Sequence, residues 1–181
     1  MWGTRIQGRA VLLRPVTEAE LPLLLEWSAD SAVLHLAEMD YHPVAPPSEL
    51  KKWWEQAGTE HNTFHWGLEV RGRLVGRTAI LHLDWQARSG WTASQLGERS
   101  AWDQDIAAEA FSLRAEYAFR QLNLHKLDSA CSDDNAACRE ALRRAGYREA
   151  VRFKEQLYRD GRWFDEIASE LLAEDWERDH A

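Results

Sequence analysis

The chain has 181 residues, 45% of them hydrophobic and 29% charged, with 22 Lys and Arg against 30 Asp and Glu, a formal net charge of −8. That length matches the ~100–200 residues of one domain, so one domain over residues 1–181 is expected, and the composition excludes a disordered chain. The longest uncharged run, Ser89 to Gly97, is nine residues, where a membrane-spanning helix needs ~20 apolar ones; Met1-Trp2-Gly3-Thr4-Arg5 begins no signal-type apolar core, and a cytoplasmic protein is expected.

In chain order, Val11, Leu12 and Leu13 followed by Pro15 predict a strand ending at Thr17. Thr17 and Glu20 then form a capping box for a helix carrying Leu21, Leu24, Leu25 and Trp27. Prolines 43, 46 and 47 punctuate the stretch from Asp40; it joins this helix to a second, from about Ser48 to Gln56. A meander follows: Phe64 to Val70, a turn at Arg71-Gly72, Arg73 to Leu83, and Trp91 to Leu96. Ile106, Ala110, Leu113 and Tyr117 recur at helical spacing, with Phe111, Ala118 and Leu122 alongside. A strand over Leu127 to Cys131 and a helix from Asn135 to Ala145, closed by Gly146, come next. Val151 to Tyr158 and Trp163 to Leu171 flank Asp160-Gly161, a hairpin signal. The fold class is therefore mixed α/β.

Cys131 and Cys138 form no metal-ligand spacing, and neither a metal nor a disulfide is expected. An acidic total without a basic stripe argues against nucleic acid, and no basic amphipathic helix points to a membrane.

Four strings carry a resemblance along nearly the whole chain. They are Leu13-Arg14-Pro15 before the capped helix; Leu96-Gly97-Glu98 through Trp102 to Glu109-Ala110; Asn135 with Gly146-Tyr147; and Tyr158-Arg159-Asp160-Gly161 with Asp165 and Glu174-Asp175-Trp176. In this order they resemble the GNAT (general N-acetyltransferase) superfamily, and more closely its RimJ/RimL-like branch. The resemblance implies a mostly antiparallel sheet, splayed between its fourth and fifth strands and flanked by helices. It also implies an N-acyltransferase in which an amine attacks a pantetheine thioester directly. Gln95, Leu96 and Gly97 would pair with the pantetheine arm as with an added strand. An N–H at the strand's irregular point would hold the oxyanion. Arg99, Trp102, Ile106, Ala107, Ala108, Asn135 and Arg139 complete the implied donor site. Asn135 and Cys138 are candidates for catalysis at the thioester, because Leu142 stands where many members have a Tyr acid. His82, Asp84 and His65 are candidates for the base that removes the amine proton. Trp27, His35, Tyr41 and Trp91 are candidates for an apolar acceptor pocket.

One departure bears on the donor. The family's phosphate loop corresponds here to Trp102-Asp103-Gln104-Asp105-Ile106-Ala107, with Asp105 and Asp103 in place of glycines. Four carboxylates (Glu98, Asp103, Asp105, Glu109) face a single Arg99 in this stretch, which disfavours a pyrophosphate. A carrier-protein-tethered acyl phosphopantetheine therefore competes with acyl-CoA as donor. An acidic carrier would dock on Arg139, Arg143, Arg144 and Arg148. The acceptor would be a small-molecule amine or a protein N-terminus, and the assembly a monomer or homodimer. A non-catalytic binding or regulatory domain is the alternative.

Overall fold

Among residues 1–37, 44, 46–102 and 104–179, which the computed structural model describes, the chain forms β1 (Ile6–Gln7), β2 (Val11–Arg14), α1 (Leu21–Ala29), α2 (Ser31–Leu36), α3 (Pro47–Ala57), β3 (Phe64–Val70), β4 (Arg73–Asp84), β5 (Ser89–Leu96), α4 (Gln104–Arg120), β6 (Lys126–Ser132), α5 (Ala136–Arg144), β7 (Arg148–Arg159), β8 (Arg162–Leu172) and α6 (Ala173–Asp179). Every expected element is present. The additions are β1, too short to show a period; α2; and α6, which holds the Glu174-Asp175-Trp176 string. α2 is a separate helix because Asp30 breaks α1 in an extended conformation and restarts the chain, its Oδ1 accepting from the N–H groups of Ala32 and Val33 at 2.9 and 3.4 Å.

The capping box forms, with Thr17 N–H donating to Glu20 Oε2 at 2.8 Å. It caps a 3-10 turn over Glu18–Glu20 that leads into α1. Glu20 also receives Nη1 and Nη2 of Arg14 at 2.9 and 2.6 Å. Arg14 Nε reaches Glu69 on β3 at 2.6 Å, so one guanidinium joins β2, β3 and the entry to α1.

The eight strands make one sheet in the order β1-β2-β3-β4-β5-β6-β8-β7. All neighbours are antiparallel except β5 and β6. Strand alternation sends Phe64, Trp66 and Leu68 to one face, where the Tyr117 ring of α4 meets Trp66 edge-on at 5.3 Å. α4, α5 and α6 close that core. His65 and Gly67 point the other way, and that face is covered by Val16, Leu21, Leu24, Trp27 and Leu74 with Trp53 and Trp54 of α3. No described helix is long and apolar enough to cross a membrane.

Two departures from regular sheet matter. β5 pairs with β6 only from Ser89↔Lys126 to Trp91↔Asp128, whereas its pairing with β4 runs on to Leu96. Residues 92–96 therefore have a strand on one side only, and the sheet forks. At the crotch, Thr92 Oγ1 donates to the Asp128 carbonyl at 2.9 Å and Ser129 Oγ to the Thr92 carbonyl at 3.3 Å. The second departure is the outermost strand, β7, whose register with β8 shifts between Glu149 and Val151 and again between Phe153 and Leu157. Asp165 fills the second irregularity, accepting from Glu155 N–H at 2.9 Å and pairing with Arg152 at 2.6 Å.

Candidate functional site: a fork through the sheet

The fork joins three cavities. On the α4/α5 face a narrow one of about 90 Å³ runs along β5 between Leu96, Trp102, Ala107, Asn135 and Cys138. On the α1/α3 face a cavity of about 280 Å³ is walled by Trp2, Trp53, His65, Arg77 and Leu81. The third, about 200 Å³, lies in the fork between Trp91, Arg114, Ala130, Cys138 and Glu166. Ala37 and Ser94 line all three. A group entering from either face therefore reaches the same point on β5.

The α4/α5 cavity gathers Gln95, Leu96, Trp102, Ala107, Asn135 and Cys138 from the implied donor residues. Its strand edge can pair with an extended amide-bearing arm. The Leu96 carbonyl already accepts from Trp102 Nε1 at 2.9 Å, so the indole fixes the end of that edge. Asn135 caps α5, its Oδ1 accepting from Cys138 N–H at 3.1 Å, which draws Cys138 to the seam between the donor cavity and the fork. Gly97 acts otherwise than expected: its N–H donates to the Val75 carbonyl at 2.9 Å, and a Cβ there would lie 1.9 Å from Trp27. It shapes the turn and offers no free N–H. Ile106 packs against the core and Ala108 is buried in it. Arg99 pairs with Asp30 at 3.0 Å, directed toward α2.

The acidic loop and the arginine face both change in character once folded. Arg144 of α5 forms an ion pair with Asp105. Glu109 turns to β2, accepting from the Ala10 N–H at 2.9 Å. Asp103 lies outside the described residues. Meanwhile Arg139 pairs with Glu149 at 2.5 Å, Arg143 with Glu140 at 2.6 Å, and Arg148 with Asp175 at 3.7 Å. Each arginine of the supposed docking face is thus matched by a carboxylate of this chain, which local sequence could not show because three of the four partners come from other elements.

Several expected acceptor-side residues are elsewhere. Trp27 is buried (5% exposed) beneath Gly97 and belongs to the core. His82 and Asp84 lie past a register shift at the end of β4; His82 is exposed with φ 50°. Asp84 accepts from Gln86 and Ala87 N–H at 2.9 and 2.8 Å and builds the β4–β5 turn. Neither reaches the fork. His35 sits on α2, its carbonyl accepting from Arg159 at 3.4 Å, and is on the wall of none of the three cavities. Tyr41 lies outside the described residues. Trp91 does line the fork.

His65 is in the α1/α3 cavity, edge-on to Trp53 at 5.6 Å. Burial, with the N-terminal ammonium and Arg77 adding to it, pushes its pKa down to about 4. The imidazole is therefore neutral at neutral pH. An unfolded chain takes up this proton near pH ~6.5, so stability from His65 is complete above that pH and is lost as pH falls toward 4. His65→Gln is expected to remove up to about 3 kcal/mol of the stability lost between pH 6.5 and 4, measured as the difference between urea-unfolding curves of the two proteins across that range. Equal pH slopes would mean that folding does not lower the proton affinity of the ring.

Three residues at the fork gave no sequence signal. Arg114 of α4 is 1% exposed; its Nη1 donates to Thr78 Oγ1, Ser94 Oγ and the Ala93 carbonyl at 2.6, 3.0 and 3.2 Å. It has no ion pair among the described residues, so its full charge stands beside β5. Glu166 of β8, which lines the fork, and Arg77 of β4, which lines the α1/α3 cavity, likewise have no ion-pair partner among the described residues.

Comparison with known proteins gives the family and the fold. The family model for the acetyltransferase (GNAT) domain matches residues 10–148. The chain is 30% identical over 74 residues to "Uncharacterized N-acetyltransferase YnaD" of Bacillus subtilis (strain 168), a stretch covering 41% of this chain and only 44% of that protein. It is 22% identical over 181 residues to "Probable N-acetyltransferase YjcK" of the same organism, over 96% of this chain and 99% of that one. The fold is also that of spermidine N-acetyltransferase from Vibrio cholerae, solved in complex with CoA and spermine: TM-score 0.83 at 16% identity, over 93% of this chain and 98% of that one. The family match takes in the forked strands, α4 and α5, and the chain belongs to the GNAT acetyltransferase family, an N-acyltransferase by type.

Proposed function

We propose that the protein transfers an acyl group from an acyl-CoA held on the α4/α5 face to an amine that enters the fork from the α1/α3 face. The observation that carries this reading is the separation of β5 from β6 after Trp91↔Asp128, which lets cavities on opposite faces share Ser94. The pantetheine arm lies along residues 92–96 of β5. The amine nitrogen attacks the thioester carbon at Ser94; a C–N bond forms and the carbonyl oxygen takes the negative charge. Arg114, buried beside Ala93 and Ser94, supplies fixed positive potential there, and a preorganised charge in a water-poor site needs little reorganisation. Glu166, which lines the fork, accepts the amine proton. As the C–S bond breaks, the leaving thiolate takes a proton from Cys138. Cys138 brings an S–H donor to the donor cavity, and thiol-to-thiolate transfer is nearly even in energy.

Free acyl-CoA is favoured as donor because Arg144 brings a cation to the N-terminal turn of α4 and because the four arginines suggested for carrier docking are paired internally. The carrier-tethered donor keeps one observation in its favour, Asp105 itself, whose carboxylate stands where a phosphate would approach. The four shared strings support a place in the RimJ/RimL-like branch. Melting the protein with coenzyme A and acetyl-CoA separates the donors, since a ligand of the native state raises stability by ~2.7 kcal/mol at one hundred times its Kd. A saturable rise at micromolar ligand is expected. No rise at millimolar ligand, with turnover of an acylated carrier protein, would overturn the acyl-CoA reading.

A further inference from the structure

The α1/α3 cavity has an unusual electrostatic make-up for a pocket that receives an amine. Among the described residues its lining contains no carboxylate, and the one standing charge is Arg77, since His65 is neutral there. Arg77 is held rather than loose. Its Nε donates to Gln95 Oε1 at 2.9 Å and its guanidinium carbon lies 5.1 Å from the Trp53 ring centroid. These two contacts leave both terminal nitrogens, Nη1 and Nη2, without a hydrogen-bond partner among the described residues; neither is among the fully buried unpartnered atoms, and Arg77 lines the cavity. A planar pair of N–H donors with no counter-ion, set between aromatic walls, matches a carboxylate. The charge count favours one monoanion over a dianionic phosphate, because no second cation lines the cavity among the described residues. Gln95, which steadies Arg77, also lines the donor cavity, so the anion site is one residue from Ser94.

Resting on the reading above of an amine attacking at Ser94, we infer that the acceptor is an amino acid or amino-acid-like molecule, its carboxylate bound by Arg77, its apolar substituent against Trp2 and Trp53, and its amine directed to the fork where Glu166 lies. A polyamine fits poorly: its second and third cations would face Arg77 in a partly buried cavity with no anion among the described residues to receive them.

The decisive comparison uses acid and amide pairs. We would measure kcat/KM with acetyl-CoA for L-leucine and L-phenylalanine against leucinamide and phenylalaninamide, with spermidine alongside. The amide's amine is the more easily deprotonated, so without a carboxylate site the amides would win. The expected result is a preference for the acids of at least tenfold, which Arg77→Met reduces to about one while Arg77→Lys retains part of it. In parallel, tryptophan fluorescence titration with L-phenylalanine should saturate for the natural protein and require at least tenfold more ligand for Arg77→Met, with unchanged thermal midpoints showing that the variant folds. Amides or spermidine preferred, or an acid-to-amide ratio unmoved by Arg77→Met, would overturn the inference and leave the acyltransferase reading intact. If no amine is acylated by acetyl-CoA, the titration still decides: saturation lost in Arg77→Met upholds the carboxylate site while the donor reading fails, and no saturation by either acid in the natural protein overturns it.

Discussion

Replacing Arg14 with methionine is expected to lower stability by about 3 kcal/mol, the low end for breaking a buried ion pair, and to lower the melting temperature by roughly 6–12 °C for a chain of this size. The Arg14 side chain is 10% exposed, and its partners Glu20 and Glu69 are 20% and 22% exposed. Methionine fills a similar volume but leaves two half-buried carboxylates facing each other. Against the cost of burial, the hydrogen bonds from Arg14 and Thr17 hold the Glu20 carboxyl below the ordinary glutamate range; without Arg14 that support falls to Thr17 alone. Adding Glu20→Gln and Glu69→Gln to the same variant should recover part of the loss, because the penalty is mainly uncompensated charge. A loss under ~1 kcal/mol, typical of a surface pair, would show that both carboxylates rehydrate without strain.

The largest effect on activity is expected from Glu166→Gln. Glutamine keeps the shape and cannot accept the amine proton, so kcat/KM near neutral pH should fall by ~10²–10⁴-fold, the usual worth of a general base. The deficit should shrink as pH rises, because hydroxide then takes over removal of the amine proton. That recovery separates proton transfer from packing, which would leave a deficit constant with pH. An unchanged rate at neutral pH would move the base to water or to another group.

The outline of this fold is written locally. Thr17 with Glu20, Asp160-Gly161 and Gly146 are short-range signals whose chemistry completes within a few residues, and the turns and caps stand where those residues require them. The fork is not local. Whether Arg77 and Glu166 face a cavity depends on which side of a strand each occupies and on where β5 leaves β6, and neither is set by their immediate neighbours. The same holds for the loop before α4: Asp105 reads as an unopposed negative charge until α5 brings Arg144 to it. Asn135 and Cys138, singled out by their positions in the resemblance, both line the cavity on the α4/α5 face. His82 and Asp84 misled because a strand continued by alternation cannot reveal the register shift that carries them away from the fork.

Both outer edges of the sheet discourage recruitment of further strands. β1 offers two residues, too few for a second chain to zip onto. β7 is long, and Val151 and Phe153 are 47% and 45% exposed on it, a combination that ordinarily templates aggregation. Its two irregularities bend the strand, so its free edge is not one straight run of backbone groups. The protein can therefore keep an apolar, solvent-facing border strand without offering another molecule a continuous seam, so that crowding with its own copies does not lead by this route to fibrous growth.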